Sequence, residues 1–132
     1  MKLSRIHIFL ILILGTLINT GFSQDIPEAI SVAFKAGNSR ELVKHFNTNI
    51  ELVILENEDV YSKTQAEMIL RDFFDKHPPK NFAILHQGGK NGSKYAIGDL
   101  TTPEGNFRVY FLLKKKENIY LIHQLRIEKE NE

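Results

Sequence analysis

Four strand-like runs in the second half of the chain limit its fold more than any other feature of the sequence. They cover residues 82–87, 95–101, 107–114 and 119–128, and each is alternating or mostly apolar. The connections between them are short and contain Gly, Asn or Pro, which favour turns. Short connections make consecutive strands antiparallel neighbours. The second half of the chain is therefore expected to form an antiparallel sheet.

Three amphipathic helices and a hairpin are predicted around and before these strands. Apolar residues at helical spacing mark a first helix over residues 26–36, and a second short helix follows Asn38. Residues 50–61 then alternate with period two and predict a hairpin. The sequence Ser62-Lys63-Thr64-Gln65 matches a capping box and opens a third helix, which ends at Pro78-Pro79.

The predicted element order is ααββαββββ, which makes the chain an α+β protein. One apolar face of the sheet and the apolar faces of the three helices must be buried against each other. A curved antiparallel sheet wrapped around the three helices, forming a cone, meets that requirement. We expect aromatic residues of the third helix and of the strands to fill the cone, namely Phe73, Phe74, Phe82, Phe107 and Phe111.

The first 23 residues read as a signal peptide. Lys2 and Arg5 precede an almost unbroken apolar run over residues 6–18, and small residues follow up to Ser23. The alternative is a membrane anchor, but a span needs about 20 apolar residues. We therefore expect cleavage after Ser23, export to the periplasm or the medium, and no membrane span in the mature protein.

Residues 24–132 are expected to form one domain of unexceptional composition. The chain has 132 residues, a formal charge of +1 and no Cys, which excludes disulfide scaffolds and thiolate metal sites. A charge so close to zero argues against nucleic acid as a partner. The histidines show no metal-binding spacing, so neither a metal nor another cofactor is expected.

Four stretches resemble a family of small exported bacterial proteins of the Bacteroidetes type, catalogued as a domain of unknown function. They are YSKTQA at residues 61–66, FAILHQG at 82–88, YAIGDL at 95–100 and IHQLRIE at 122–128. The element order is similar to the nuclear-transport-factor-two-like (cystatin-like) cone fold, which ketosteroid isomerase and scytalone dehydratase share. The resemblance covers residues 25–129 and implies the fold, while a fold alone does not define a function.

His86, Asp99 and His123 are the candidates for a ligand pocket inside the cone. An enzyme of this fold would need titratable groups there. His86 shares strand parity with Phe82 and is expected to face inward. His123 faces inward if the last strand is regular, and outward if a bulge lies near His123-Gln124; the sequence leaves both alternatives open. No residue is assigned a catalytic role.

Tyr110, Tyr120 and Arg126 are the candidates for an interaction surface on the outer sheet face, where apolar and charged residues mix. Proteins with the cone fold often dimerise through this face, so the resemblance implies a homodimer. The first hypothesis is a non-catalytic module that binds itself, a partner protein or a small apolar ligand. The second is an isomerase, dehydratase or hydrolase with its site in the cone. A filled cone favours the first hypothesis.

Overall fold

The computed structural model describes residues 26–131. The predicted signal peptide and its cleavage site after Ser23 lie outside the described residues. The elements follow the expected order ααββαββββ. They are α1 (Glu28–Ala36), α2 (Ser39–Val43), β1 (Phe46–Ile54), β2 (Asn57–Ser62), α3 (Lys63–Lys76), β3 (Asn81–Lys90), β4 (Ser93–Thr102), β5 (Gly105–Lys116) and β6 (Ile119–Lys129).

The six strands form one curved, open sheet in the order β2-β1-β6-β5-β4-β3. The α+β cone fold is confirmed, with one difference in strand direction: β1 and β6 pair in parallel, while every other pair is antiparallel. After β2, the chain crosses through α3 to the far edge and returns strand by strand. The last strand therefore reaches β1 running in the same direction.

Local sequence signals set the helix ends as expected. Gly37 ends α1 with φ +63°, and the side chain of Asn38 accepts a hydrogen bond from the backbone N–H of Glu41 to open α2. Ser62 and Gln65 form the complete capping box of α3. These caps fix where each helix meets the sheet.

The inside of the cone is filled by apolar side chains. Phe34 of α1 stacks on Phe82, with ring centroids 4.7 Å apart, and on Phe111, with centroids 5.7 Å apart. Phe73 of α3 meets Phe107 edge to face, at 5.2 Å. Aromatic pairs in these geometries add to the stability gained by burial alone. The five phenylalanines expected to fill the cone are all buried.

Two β-bulges change which face of the sheet the neighbouring side chains occupy. The β3–β4 register shifts between Ile84 and His86, which leaves Leu85 as the extra residue. On β6, Ile122 and Gln124 lie opposite consecutive residues of β5, so His123 is the extra residue. The bulged alternative for the last strand is therefore the one present.

We expect Phe34→Ala to lower the free energy of unfolding by about 3–5 kcal/mol, because it removes the ring between two others and leaves a cavity. Val32→Ala on the same helix is the matched control, since Val32 is 58% exposed and should cost less than about 0.5 kcal/mol. Urea unfolding of both variants measures the difference. Equal losses would show that α1 does not hold the core.

Candidate functional site

An apolar patch occupies the middle of the outer sheet face. In the β4–β5 register, Tyr95 lies opposite Leu112 and Ile97 lies opposite Tyr110. These positions alternate with buried residues of the same strands, so their side chains point away from the core. Each is at least partly exposed. We call this set the central patch: Tyr95, Ile97, Tyr110 and Leu112.

A groove of about 350 Å³ borders the central patch and crosses strands β2, β1, β6 and β5. Tyr110 and Arg126 line it on one side. The opposite side carries the carboxylates of Glu51 and Glu58, and Glu51 accepts a hydrogen bond from Gln124. The groove therefore joins an aromatic wall to an acidic one.

Two of the three surface candidates lie together, and the third does not. Tyr110 and Arg126 are direct cross-strand partners on the outer face, and Arg126 donates a hydrogen bond of 2.9 Å to Glu128. Tyr120 shares the inner face with Ile122 because of the bulge at His123, and it packs against the core. The expected outer position of Tyr120 is therefore wrong, since a one-residue insertion reverses the alternation.

The three pocket candidates do not meet inside the cone. His86 lies opposite Ile97 and is exposed on the outer face, because the bulge at Leu85 reverses the parity that predicted an inward position. Asp99 also lies on the outer face, opposite Arg108. His123 sits in its own bulge on β6. Their roles in ligand binding stay a prediction, but they belong to three separate places.

His123 is a half-buried histidine in a positively charged setting. Its Nε2 atom is buried and has no hydrogen-bond partner in the described part of the chain. Burial lowers the pKa of His123, and the charges of Lys114 and Lys116 lower it further. The neutral imidazole is thus the favoured form at this position.

Asp99 and Glu130 form a carboxyl pair at the end of the sheet that holds the β4–β5 turn. Burial raises the pKa of Asp99, and its hydrogen bond and charge interaction with Glu130 raise it further. The same hydrogen bond, together with one from Arg108 at 2.8 Å, lowers the pKa of Glu130. Asn106 contributes a weaker contact to Asp99 at 3.4 Å. The cluster ties the end of β6 to the β4–β5 hairpin.

Within residues 26–131, no group of three or more His, Asp or Glu side chains is arranged to hold a metal ion. None of the helices α1 to α3 combines the length and the hydropathy required to cross a bilayer.

Comparison with known proteins first defines the fold class. A domain of unknown function with a cystatin-like fold from Nostoc punctiforme superposes with a TM-score of 0.64, at 9% sequence identity, over 80% of this chain and 73% of that one. At this identity the likeness shows the fold alone. It agrees with the curved sheet and the three helices described above.

The family follows from closer matches. The model of the domain of unknown function DUF4783 matches residues 27–128, and the chain belongs to this family. A DUF4783 protein from Bacteroides ovatus is 42% identical, covers 83% of this chain and 100% of its own, and has a TM-score of 0.78. A second one, from Bacteroides uniformis, is 40% identical, with coverages of 82% and 100% and a TM-score of 0.77. No curated protein matches the chain.

Sequence reasoning missed the acidic wall of the groove. Glu51 points to the outer face because it lies between the buried Ile50 and Leu52 on β1. Glu58 on β2 points the same way, since it lies opposite Val53, which shares the parity of Glu51. The signal was present, because alternate positions of a hairpin share one face. Residues 56–59 have the composition of a polar turn, which hides the strand: β2 already begins at Asn57.

We expect the double substitution Lys114→Gln and Lys116→Gln to raise the pKa of His123, because two positive charges that oppose protonation are removed. The pKa should stay below its usual value, since burial is the largest cause of the shift. An NMR titration of His123 measures it. Lys80→Gln, at the other end of the sheet, is the control. An unchanged His123 titration in the double variant would contradict the electrostatic account.

Asp99→Asn tests the carboxyl pair. The raised pKa of Asp99 stabilises the fold below the ordinary carboxyl range, and this stability is lost as the pH rises through the folded-state pKa. The lowered pKa of Glu130 has the opposite effect: it stabilises the fold above the ordinary carboxyl range, and this stability is lost as the pH falls. The neutral amide should therefore make the variant more stable than the wild type at pH 7, and this difference should shrink towards pH 3. Urea unfolding at both pH values measures it, and a constant difference would count against the pair.

Proposed function

We propose that the protein is an exported, non-catalytic interaction module that pairs with a second copy of itself through the outer face of its sheet. The observation that carries the proposal is the central patch: two tyrosines, an isoleucine and a leucine lie side by side on a face that no described helix covers. Contiguous apolar surface of this kind marks interaction sites in soluble proteins. Aromatic residues such as Tyr95 and Tyr110 are enriched in interfaces.

The contents of the cone support a non-catalytic role. Among the described residues, the only buried polar ones are Ser39 and Thr102, and the rest of the interior is apolar. General acid or base catalysis needs a titratable group within hydrogen-bond reach of the substrate. The sequence alternative, an isomerase, dehydratase or hydrolase working inside the cone, has no titratable side chain among the buried residues that the structure describes. Tyr61 and Tyr120, which pack against this core, are only partly buried.

A partner protein and a small apolar ligand are the other partners expected from the sequence, and the structure gives the apolar ligand little support. The groove beside the central patch is large enough for a small molecule. Its acidic wall would lose water on contact with an apolar ligand without gaining a hydrogen bond in return. A second copy, which can keep these carboxylates at the wet rim of an interface, fits the face better.

Tyr110→Glu is expected to convert a wild-type dimer into a monomer, because it places a charge in the middle of the central patch. Met68→Glu is the matched control, since Met68 on α3 is 62% exposed and lies away from the outer sheet face. Light scattering after gel filtration gives the mass of each variant. A monomeric wild type at concentrations of about 100 µM, or a dimer that survives Tyr110→Glu, would refute the pairing.

Export is supported by the charged, apolar and small-residue segments of residues 1–23. Mass spectrometry of the protein isolated from the envelope fraction or the medium should find Gln24, or a close neighbour, at the N-terminus. A protein that keeps Met1 and stays in the cytoplasm would contradict the proposal.

A further inference from the structure

The outer face of the sheet carries a patch of large side chains and a hollow side by side. The central patch lies on β4 and β5, whereas the groove of about 350 Å³ crosses β2, β1 and β6 and ends at Tyr110 of β5. The boundary between them runs along the strands, close to the line where β5 pairs with β6. The two halves of the face therefore differ in shape.

The end of the central patch nearest β3 has a fixed shape. The ring of Tyr95 lies over Gly88 of the neighbouring strand β3, where an added Cβ atom would stand only 2.9 Å from both the Cε1 atom and the hydroxyl oxygen of the tyrosine. Tyr95 nevertheless stays 39% exposed. An aromatic ring that is already held in place loses little conformational entropy when a partner covers it.

One row of side chains across the outer face is complementary to its own reverse. Its first and last members are an acid and a histidine, its second and fifth are aliphatic, and its middle two are a cation and an aromatic ring. From β2 to β3, the row reads Glu58, Val53, Arg126, Tyr110, Ile97 and His86. A second copy turned by half a rotation can therefore match it position by position.

We propose that the second copy packs with a two-fold axis that runs along the strands between β5 and β6, so that the central patch of each copy fills the groove of the other. This inference rests on the pairing proposed above and specifies its geometry. Sheets that pack face to face lie about 10 Å apart and keep their strands roughly aligned, which this axis allows. The same surface is used twice, as in most two-fold dimers.

The middle of the contact joins groups that attract each other. The axis sets Arg126 opposite the partner's Tyr110, and a guanidinium group over an aromatic ring is a favourable cation–π pair. It sets Val53 opposite the partner's Ile97, because each lies one strand further out in the same row. That contact buries apolar surface on both copies.

The margins of the contact are also complementary. Glu58 on β2 comes opposite the partner's His86 on β3, whose ring N–H can donate to a carboxylate. In the neighbouring row, Arg108 comes opposite the partner's Glu128, because these two are cross-strand neighbours on β5 and β6. Polar pairs at a wet rim fix the orientation of two partners more than they add affinity.

An axis that runs across the strands is the main alternative, and both shape and charge disfavour it. It would set groove against groove and leave the hollow unfilled, although well-formed interfaces pack as densely as protein interiors. It would also gather the carboxylates of Glu51 and Glu58 from both copies on one side of the contact. Like charges placed together there oppose association.

A spin label tests the direction of the axis, because a chain without Cys can be labelled at one chosen position. His86→Cys, at the exposed margin, carries the label in a copy of natural isotopic abundance, which is mixed with ¹⁵N-labelled wild-type protein. Only contacts between copies then broaden amide signals. We expect broadening on β2, centred on Glu58. Met68→Cys on α3 is the matched control and should leave the signals of the outer face sharp.

The position of the broadening decides between the two axes. Broadening centred on β2 supports the proposed arrangement. Broadening centred on β3, around His86 of the partner subunit, would mean that the axis crosses the strands; the arrangement would then be wrong, although the pairing would stand. A dimer whose outer-face amides stay sharp would overturn the arrangement as well. A monomeric wild type would overturn the pairing and the arrangement together.

A charge exchange provides a second test, on the facing positions Val53 and Ile97. Val53→Lys and Ile97→Glu should each weaken dimerisation about tenfold or more, because each buries a charge in an apolar contact. The double variant should recover most of the loss, since each new ammonium group then meets a new carboxylate of the partner. Within one chain these positions are three strands apart, about 14 Å, so the recovery has to come through the interface.

Analytical ultracentrifugation measures the dimer dissociation constant of each variant. A double variant that dimerises no better than the weaker single variant would contradict the proposed axis. Circular dichroism checks the fold of each variant separately, and the spin-label test does not depend on these substitutions.

Discussion

The stacking of Phe34 between Phe82 and Phe111 is the contact on which the rest of the molecule depends. It docks α1 against β3 and β5. The helix α3 lies against β1 and β2 and reaches β5 through Phe73, whose ring meets Phe107. Both helices together occupy the concave side of the sheet with rings and aliphatic chains.

The path of the chain also separates charge along the strands. The β3–β4 and β5–β6 turns, with Lys90, Lys94 and Lys114–Lys116, fall at one end of the sheet. The β4–β5 turn with Glu104, and the end of β6 with Glu128 and Glu130, fall at the other. This polarity follows from the antiparallel order of β3 to β6, which sends alternate turns to opposite ends. One end of the sheet is therefore rich in lysine, although the formal charge of the whole chain is only +1.

Periodicity and capping signals in the sequence were enough to predict the elements, their order and the cone. The capping box at Ser62 and the apolar stripe of α3 involve residues close together in the chain, so they can be recognised from the sequence without knowing the tertiary structure. The faces of individual strand residues were less predictable. A bulge inserts one extra residue into a strand and moves every side chain beyond it to the other face. The predicted inward position of His86 and outward position of Tyr120 are therefore both wrong. For His123 the sequence allowed two arrangements, and only the pairing of β5 with β6 chooses between them. The parallel β1–β6 pair arises from contacts between distant parts of the chain, which no local pattern encodes.

The two edges of the sheet restrict how copies of this protein can join. On β2, Glu58 and Asp59 are exposed beside an unpaired backbone, and a second β2 brought alongside would set like charges against each other. On β3, the bulge at Leu85 interrupts the regular spacing of N–H and C=O groups that an added strand requires. Growth of the sheet from molecule to molecule is therefore blocked at both margins. Copies that meet face to face, as in the pairing proposed above, would instead close into a finite pair.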